Sequence, residues 1–95
     1  MYGLKETLIN ELIEYSKKYN ITKLILFGSR ARGDYRKLSD IDLAVSGGDV
    51  ARFSADVQEE TRTLLFFDIV NLDKPVQDEL FESISRDGIT IYEKI

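Results

Sequence analysis

Apolar positions along the chain recur with two periods. Leu4, Leu8, Ile9, Leu12, Ile13 and Tyr19 fall three and four apart, which predicts an amphipathic helix over about residues 3–19. Lys17 and Lys18 suit its last turn, and Asn20 suits a left-handed exit. Lys23 to Phe27 is short and β-rich, so it reads as a buried strand that Gly28-Ser29 breaks. The polar, basic stretch 30–39 reads as a short helix and then a loop. Asp40-Ile41-Asp42-Leu43-Ala44-Val45 alternates polar and apolar, the mark of a strand with two different faces.

Ser46-Gly47-Gly48 predicts a turn, and Asp49 a helix N-cap. Val50, Phe53, Val57, Thr61, Leu64 and Leu65 form the stripe of a second long helix. Phe66 to Leu72 reads as a third strand, interrupted on one face by Asp68. Pro75 is placed to open another helix, with Leu80, Phe81 and Ile84 inward and Gly88 at its end. Ile89 to Tyr92 closes the chain as a strand. This order predicts an α/β (α+β) fold: a small mixed sheet of about four strands with helices packed on one face.

Composition narrows the chemistry. With 95 residues the chain is expected to form a single domain, residues 1–95, with one modest core. It has no Cys and no His, which removes disulfides, thiolate metal sites, His general bases and His-ligated zinc. A metal here must be hard and held by carboxylates. The net charge of −4 argues against strong nucleic-acid binding, which needs a basic footprint, but leaves room for nucleotides carried by a cation. The longest apolar runs, Leu24–Phe27 and Leu64–Phe67, fall far short of the ~20 residues of a membrane span. With no signal-peptide pattern either, the expected location is cytoplasmic.

Three features carry candidate chemistry. Gly28-Ser29 follows a strand and precedes a short helix. Glycine permits close approach of a ligand to backbone, Ser29 can cap the helix, and free N–H groups there would face a phosphate. A plain strand-to-helix turn explains the same residues. Asp40 and Asp42 stand two apart on a strand, on one face, roughly 6–7 Å apart along the chain. Two carboxylates so close repel unless a cation lies between them, although a solvated strand end is the simpler alternative. Asp68, between Phe67 and Ile69, must be paired, bind a metal or lie on an open sheet face. Together, three carboxylates on neighbouring strands beside a Gly-Ser turn suit two hard cations and a triphosphate.

Phe27-Gly28-Ser29-Arg30-Ala31-Arg32-Gly33-Asp34, Ser39-Asp40-Ile41-Asp42-Leu43 and Phe67-Asp68-Ile69 together resemble the three motifs of polymerase β-type nucleotidyltransferases. Ten residues separate Ser29 from Asp40, the spacing of the minimal nucleotidyltransferase (MNT) branch. Asp87-Gly88-Ile89-Thr90-Ile91-Tyr92-Glu93 is similar to that branch's ending. The resemblance implies that Asp40 and Asp42 ligate Mg²⁺, two ions in all, and that Asp68 completes the site near the attacking hydroxyl. It implies that Gly28 and Ser29 hold the β- and γ-phosphates of ATP. Arg30 and Arg32 are candidates for phosphate or partner contact, with simple solvation on an exposed short helix as the alternative. It also implies a HEPN-domain partner, a toxin encoded next door, in a hetero-oligomer. Silencing would be by transfer of AMP to a tyrosine hydroxyl of that toxin. A non-catalytic module that neutralises its partner by contact is the competing expectation, and a small-molecule transferase a third.

Overall fold

The computed structural model of the protein describes all 95 residues. The elements in chain order are α1 (Glu6–Lys18), β1 (Lys23–Phe27), α2 (Gly28–Arg32), β2 (Ile41–Ser46), α3 (Val50–Glu60), β3 (Phe67–Asn71), α4 (Asp78–Asp87) and β4 (Ile89–Glu93). They build one four-stranded sheet in the order β3-β2-β1-β4. β1 runs antiparallel to both β2 and β4, whereas β2 and β3 are parallel. A parallel pair needs a crossover, and α3 supplies it.

The strand alternation decides the core. Leu24 and Leu26 of β1 share one face with Ile41, Leu43 and Val45 of β2. That face is covered by Leu8 and Leu12 of α1 and by Phe53 and Val57 of α3, all buried in one cluster. Phe27 and Ala44 project to the other face and pack on Ile84 of α4. The mixed four-stranded sheet is as expected, but helices cover both of its faces rather than one. The physical reason lies in β1: an unbroken apolar run such as Leu24–Phe27 needs cover on both sides.

Helix boundaries differ where local chemistry overrides periodicity. α1 begins at Glu6, because Tyr2 and Gly3 adopt left-handed φ values of 57° and 69° that no helix accommodates. Asn20 takes the expected left-handed exit, with φ 59°. Asp49 does cap α3, accepting from the Arg52 N–H at 3.1 Å. The stripe of α3 stops at Glu60, however: Thr61 turns extended, and Leu64 is 99% exposed in the connecting loop. α4 begins at Asp78, three residues after Pro75, with Asp78 and Glu79 as the acids of its first turn. Ile84 is buried and Leu80 partly so, but Phe81 is exposed rather than inward. Gly88 ends α4 as expected.

Candidate active site

β1 passes into α2 with no intervening residue. Phe27 is extended, and Gly28 turns the chain at φ 72° into the helix. The glycine is needed on a second count. A Cβ on Gly28 would lie 2.9 Å from Cγ of Asp42 and 3.2 Å from its Cβ. The Gly28 backbone therefore lies directly against the Asp42 side chain. Ser29 sits inside the first turn of α2 and does not cap it: Phe27 is the N-cap residue, without a side-chain hydrogen bond. The helix starts two residues too early for Ser29 to serve. Its carbonyl instead receives Gly33 N–H at 2.9 Å and Asp34 N–H at 3.1 Å. The first-turn amides of a helix have no intrahelical acceptor, and in α2 they belong to Gly28, Ser29 and Arg30.

Asp42 is the second residue of β2, in register with Phe27 of β1 and with Asp68 of β3. Partners in a parallel pair point to the same face, and neighbouring strands lie about 4.8 Å apart. Asp40 precedes β2 by one residue, and both it and Asp68 are exposed, whereas Asp42 is half-buried. Asp42 is the carboxyl most affected by this grouping. Burial, then the charge of Asp68, then that of Asp40, push it above the usual carboxylate range, and Arg32 pulls it back down. Asp42 thus stands between two other acids. The structure does not draw all three around one point, and no group of three acidic side chains forms a ready metal cluster. Mutual repulsion of the carboxylates accounts for the spread.

The donor set nevertheless fits a hard divalent cation: oxygen ligands, no Cys or His anywhere, and an acid whose ionisation is opposed by its neighbours. A cation bound there would relieve that opposition.

The two arginines divide. Arg32 lies at the rim of the carboxylates, ion-paired to Asp34 at 3.2 Å and to Asp87 of α4 at 3.6 Å. Arg30 corrects the expectation of an exposed, solvated side chain: it is 1% exposed. Its guanidinium is engaged by the carbonyls of Tyr2, Lys37 and Ser39 and is turned away from any phosphate role. The sequence places Asp87 in the closing stretch that resembles the branch's ending but gives no sign of its pairing with Arg32, nor of the Tyr2, Gly3 and Tyr35 surroundings of Arg30. An open groove of about 1110 Å³ runs between α1, residues 60–65 and Lys37-Leu38; none of the three aspartates lines it.

The family model "Polymerase beta, Nucleotidyltransferase" matches residues 10–95, a span that holds Gly28, Ser29 and all three aspartates. The chain belongs to that family. This nucleotidyltransferase is 41% identical over 80 residues to a protein of Methanocaldococcus jannaschii, covering 81% of its own length and 78% of the relative's. The relative bears the provisional name of a protein adenylyltransferase. Among solved structures, a toxin–antitoxin crystal structure with AMP-PNP aligns at a TM-score of 0.71 and 21% identity, over 90% of this chain and 73% of that one. A mutant of the MntA-HpeT toxin–antitoxin pair gives 0.71 at 18% identity, with coverage of 90% and 73%. A nucleotidyltransferase, provisionally so described, from Sulfolobus solfataricus gives 0.57 at 22%, over 93% of this chain and 79% of that one. At these identities the structural likeness establishes the polymerase β-like fold.

Proposed function

We propose that this nucleotidyltransferase uses Mg²⁺ to move AMP from ATP onto a tyrosine hydroxyl of a HEPN-domain toxin, and so acts as its antitoxin in the cytoplasm. The observation that carries the reading is the in-register pairing of Asp42 with Asp68, with the Gly28 backbone against Asp42. The name of the M. jannaschii relative supports protein as the acceptor. The toxin–antitoxin assemblies that share the fold, one of them holding AMP-PNP, support the partner and the nucleotide.

In this reading Asp40, Asp42 and Asp68 would hold the metal, which would supply positive charge against the negative charge of the triphosphate. Gly28 and Ser29 offer backbone N–H groups to the β- and γ-phosphates. Arg32 is placed to add a second positive charge from the rim. The acceptor oxygen forms a bond to the α-phosphorus while the bond to the bridging oxygen breaks, and pyrophosphate leaves. Asp68, exposed on the edge strand β3, takes the proton of the attacking hydroxyl. Rate enhancement would come from alignment and charge neutralisation.

The test is intact-mass measurement of the neighbouring gene's product after incubation with this protein and MgATP. The expected result is an added AMP that disappears with Asp42→Ala. Silencing of the toxin by Asp42→Ala, with no added mass, would replace the enzymatic reading with inhibition by contact. An AMP found on a small molecule instead would overturn the protein acceptor.

A further inference from the structure

Arg30 is the only charged side chain withdrawn from solvent. Burying a charge is costly unless it is well partnered, and no carboxylate pairs with it. Backbone carbonyls do the work. Nε and Nη2 fork onto the Ser39 carbonyl at 3.1 and 3.0 Å. Nη2 also reaches the Lys37 carbonyl at 3.3 Å, and Nη1 donates to the Tyr2 carbonyl at 3.1 Å. The Tyr35 ring lies with its centroid 5.0 Å from the guanidinium carbon.

Apart from Arg30, the chain it grips is held by a local turn, in which the Ser39 N–H donates to the Arg36 carbonyl at 3.0 Å and the Arg36 N–H to Ser39 Oγ at 2.7 Å. Residues 33–40 form neither helix nor strand, yet they end on Asp40. Ser39 is the residue before Asp40, and Arg30 lies two residues after Gly28, on the same helix. α2 therefore controls both aspartates of β2's entry: Gly28 limits the space of Asp42, and Arg30 holds the carbonyl next to Asp40. The guanidinium is itself enclosed by the N-terminal turn. A Cβ on Gly3 would lie 2.8 Å from Nη1 of Arg30 and 2.8 Å from Cζ of Tyr35.

We propose that Arg30 is a positioning residue for Asp40, and that the turn at Tyr2-Gly3, remote from the carboxylates in sequence, belongs to the same support. The inference rests on Asp40 serving the nucleotide's metal. A planar fork is required: a lysine ammonium at this position cannot reach the Ser39 carbonyl through two donors while serving Tyr2 and Lys37.

The experiment compares the unaltered protein with Arg30→Lys and Gly3→Ala. Two quantities are measured: residue-resolved amide hydrogen exchange without nucleotide, and calorimetric ATP binding across a series of Mg²⁺ concentrations. Both variants are expected to fold and to exchange faster at Arg36, Ser39 and Ile41, while the β1–β4 amides stay protected. The Mg²⁺ concentration for half-maximal ATP binding should rise about 10- to 100-fold, the usual cost of losing a support behind a metal ligand. Unchanged loop exchange in folded variants would overturn the proposal. So would an equal loss of protection throughout the sheet, a loosened loop with an unmoved Mg²⁺ midpoint, or unfolding of both variants. If the unaltered protein binds no ATP with Mg²⁺, the functional reading fails on its own, and loop exchange still decides whether Arg30 supports Asp40.

Discussion

Gly28 and Asp42 share one small space: the side chain of the aspartate occupies the place where a Cβ on the glycine would point. Gly28→Ala therefore meets both a left-handed backbone, at φ 72°, and a carboxylate. The left-handed conformation alone costs a non-glycine residue about 1–2 kcal/mol. Urea denaturation should show at least that loss. In an Asp42→Ala background the clash with the carboxyl should be gone and only the 3.2 Å approach to Cβ should remain, so the double variant should be less destabilised than the sum of the singles. Additivity within ~0.5 kcal/mol would mean that the two residues do not press on each other.

The pH behaviour of Asp42 follows from its surroundings. Its folded-state carboxyl is pushed up, first by burial and then by Asp68 and Asp40. The folded state thus keeps the proton to higher pH than the unfolded chain. Its contribution favours folding at low pH and is lost as pH rises from the ordinary carboxylate range, about 4, through the raised value. Asp87 works in the opposite direction: Arg86, aided by Arg32, lowers it, so its contribution is present above the ordinary range and lost on acidification. Carboxyl ¹³C NMR titration without divalent metal separates the two. Asp68→Asn should bring Asp42 part of the way back toward its usual value, and burial should hold it short of a full return.

Asp42→Asn should divide stability from activity. Removing the charge relieves repulsion from Asp40 and Asp68, so the urea midpoint in metal-free buffer should be equal to or above that of the unaltered protein. Transfer to the acceptor should fall on the order of a hundredfold or more, as when one preorganised electrostatic contact is lost. A parallel loss of stability would place Asp42 in the scaffold rather than the chemistry.

Arg32→Ala should leave the fold intact, because Arg32 is itself well exposed and Asp87 keeps its second partner, Arg86. ATP binding in Mg²⁺ should weaken about tenfold if the guanidinium reaches the triphosphate. Unaltered calorimetric affinity would confine Arg32 to bridging Asp34 and Asp87.

Two apolar substitutions test the core assignment. Phe53 is fully buried between α3 and the sheet, so Phe53→Ala should cost about 3–5 kcal/mol. Leu64 belonged to the same stripe by spacing but is exposed, and Leu64→Ala should change stability by no more than ~0.5 kcal/mol. Denaturation midpoints of both variants check the pair.

The primary structure alone determined the strands and most helices, because period-two and period-3.6 patterns reflect burial that each segment needs wherever it packs. It also marked Gly28, Asp40, Asp42 and Asp68, since glycine after a strand and acids among apolar residues are locally costly and therefore conspicuous. Tertiary structure decided the rest. Whether Leu64 and Phe81 lie inside depends on where Thr61 and Gln77 turn extended, and no spacing encodes that. Cover on the second sheet face depends on α4 folding back over Phe27 and Ala44. Arg30 shows the limit most clearly. Its type and position read as a cation for phosphate or a partner, or else a solvated one, and only the folded chain brings the carbonyls of Tyr2, Lys37 and Ser39 around it. Backbone carbonyls are the same in every residue, so a site built from them leaves no mark on the order of side chains.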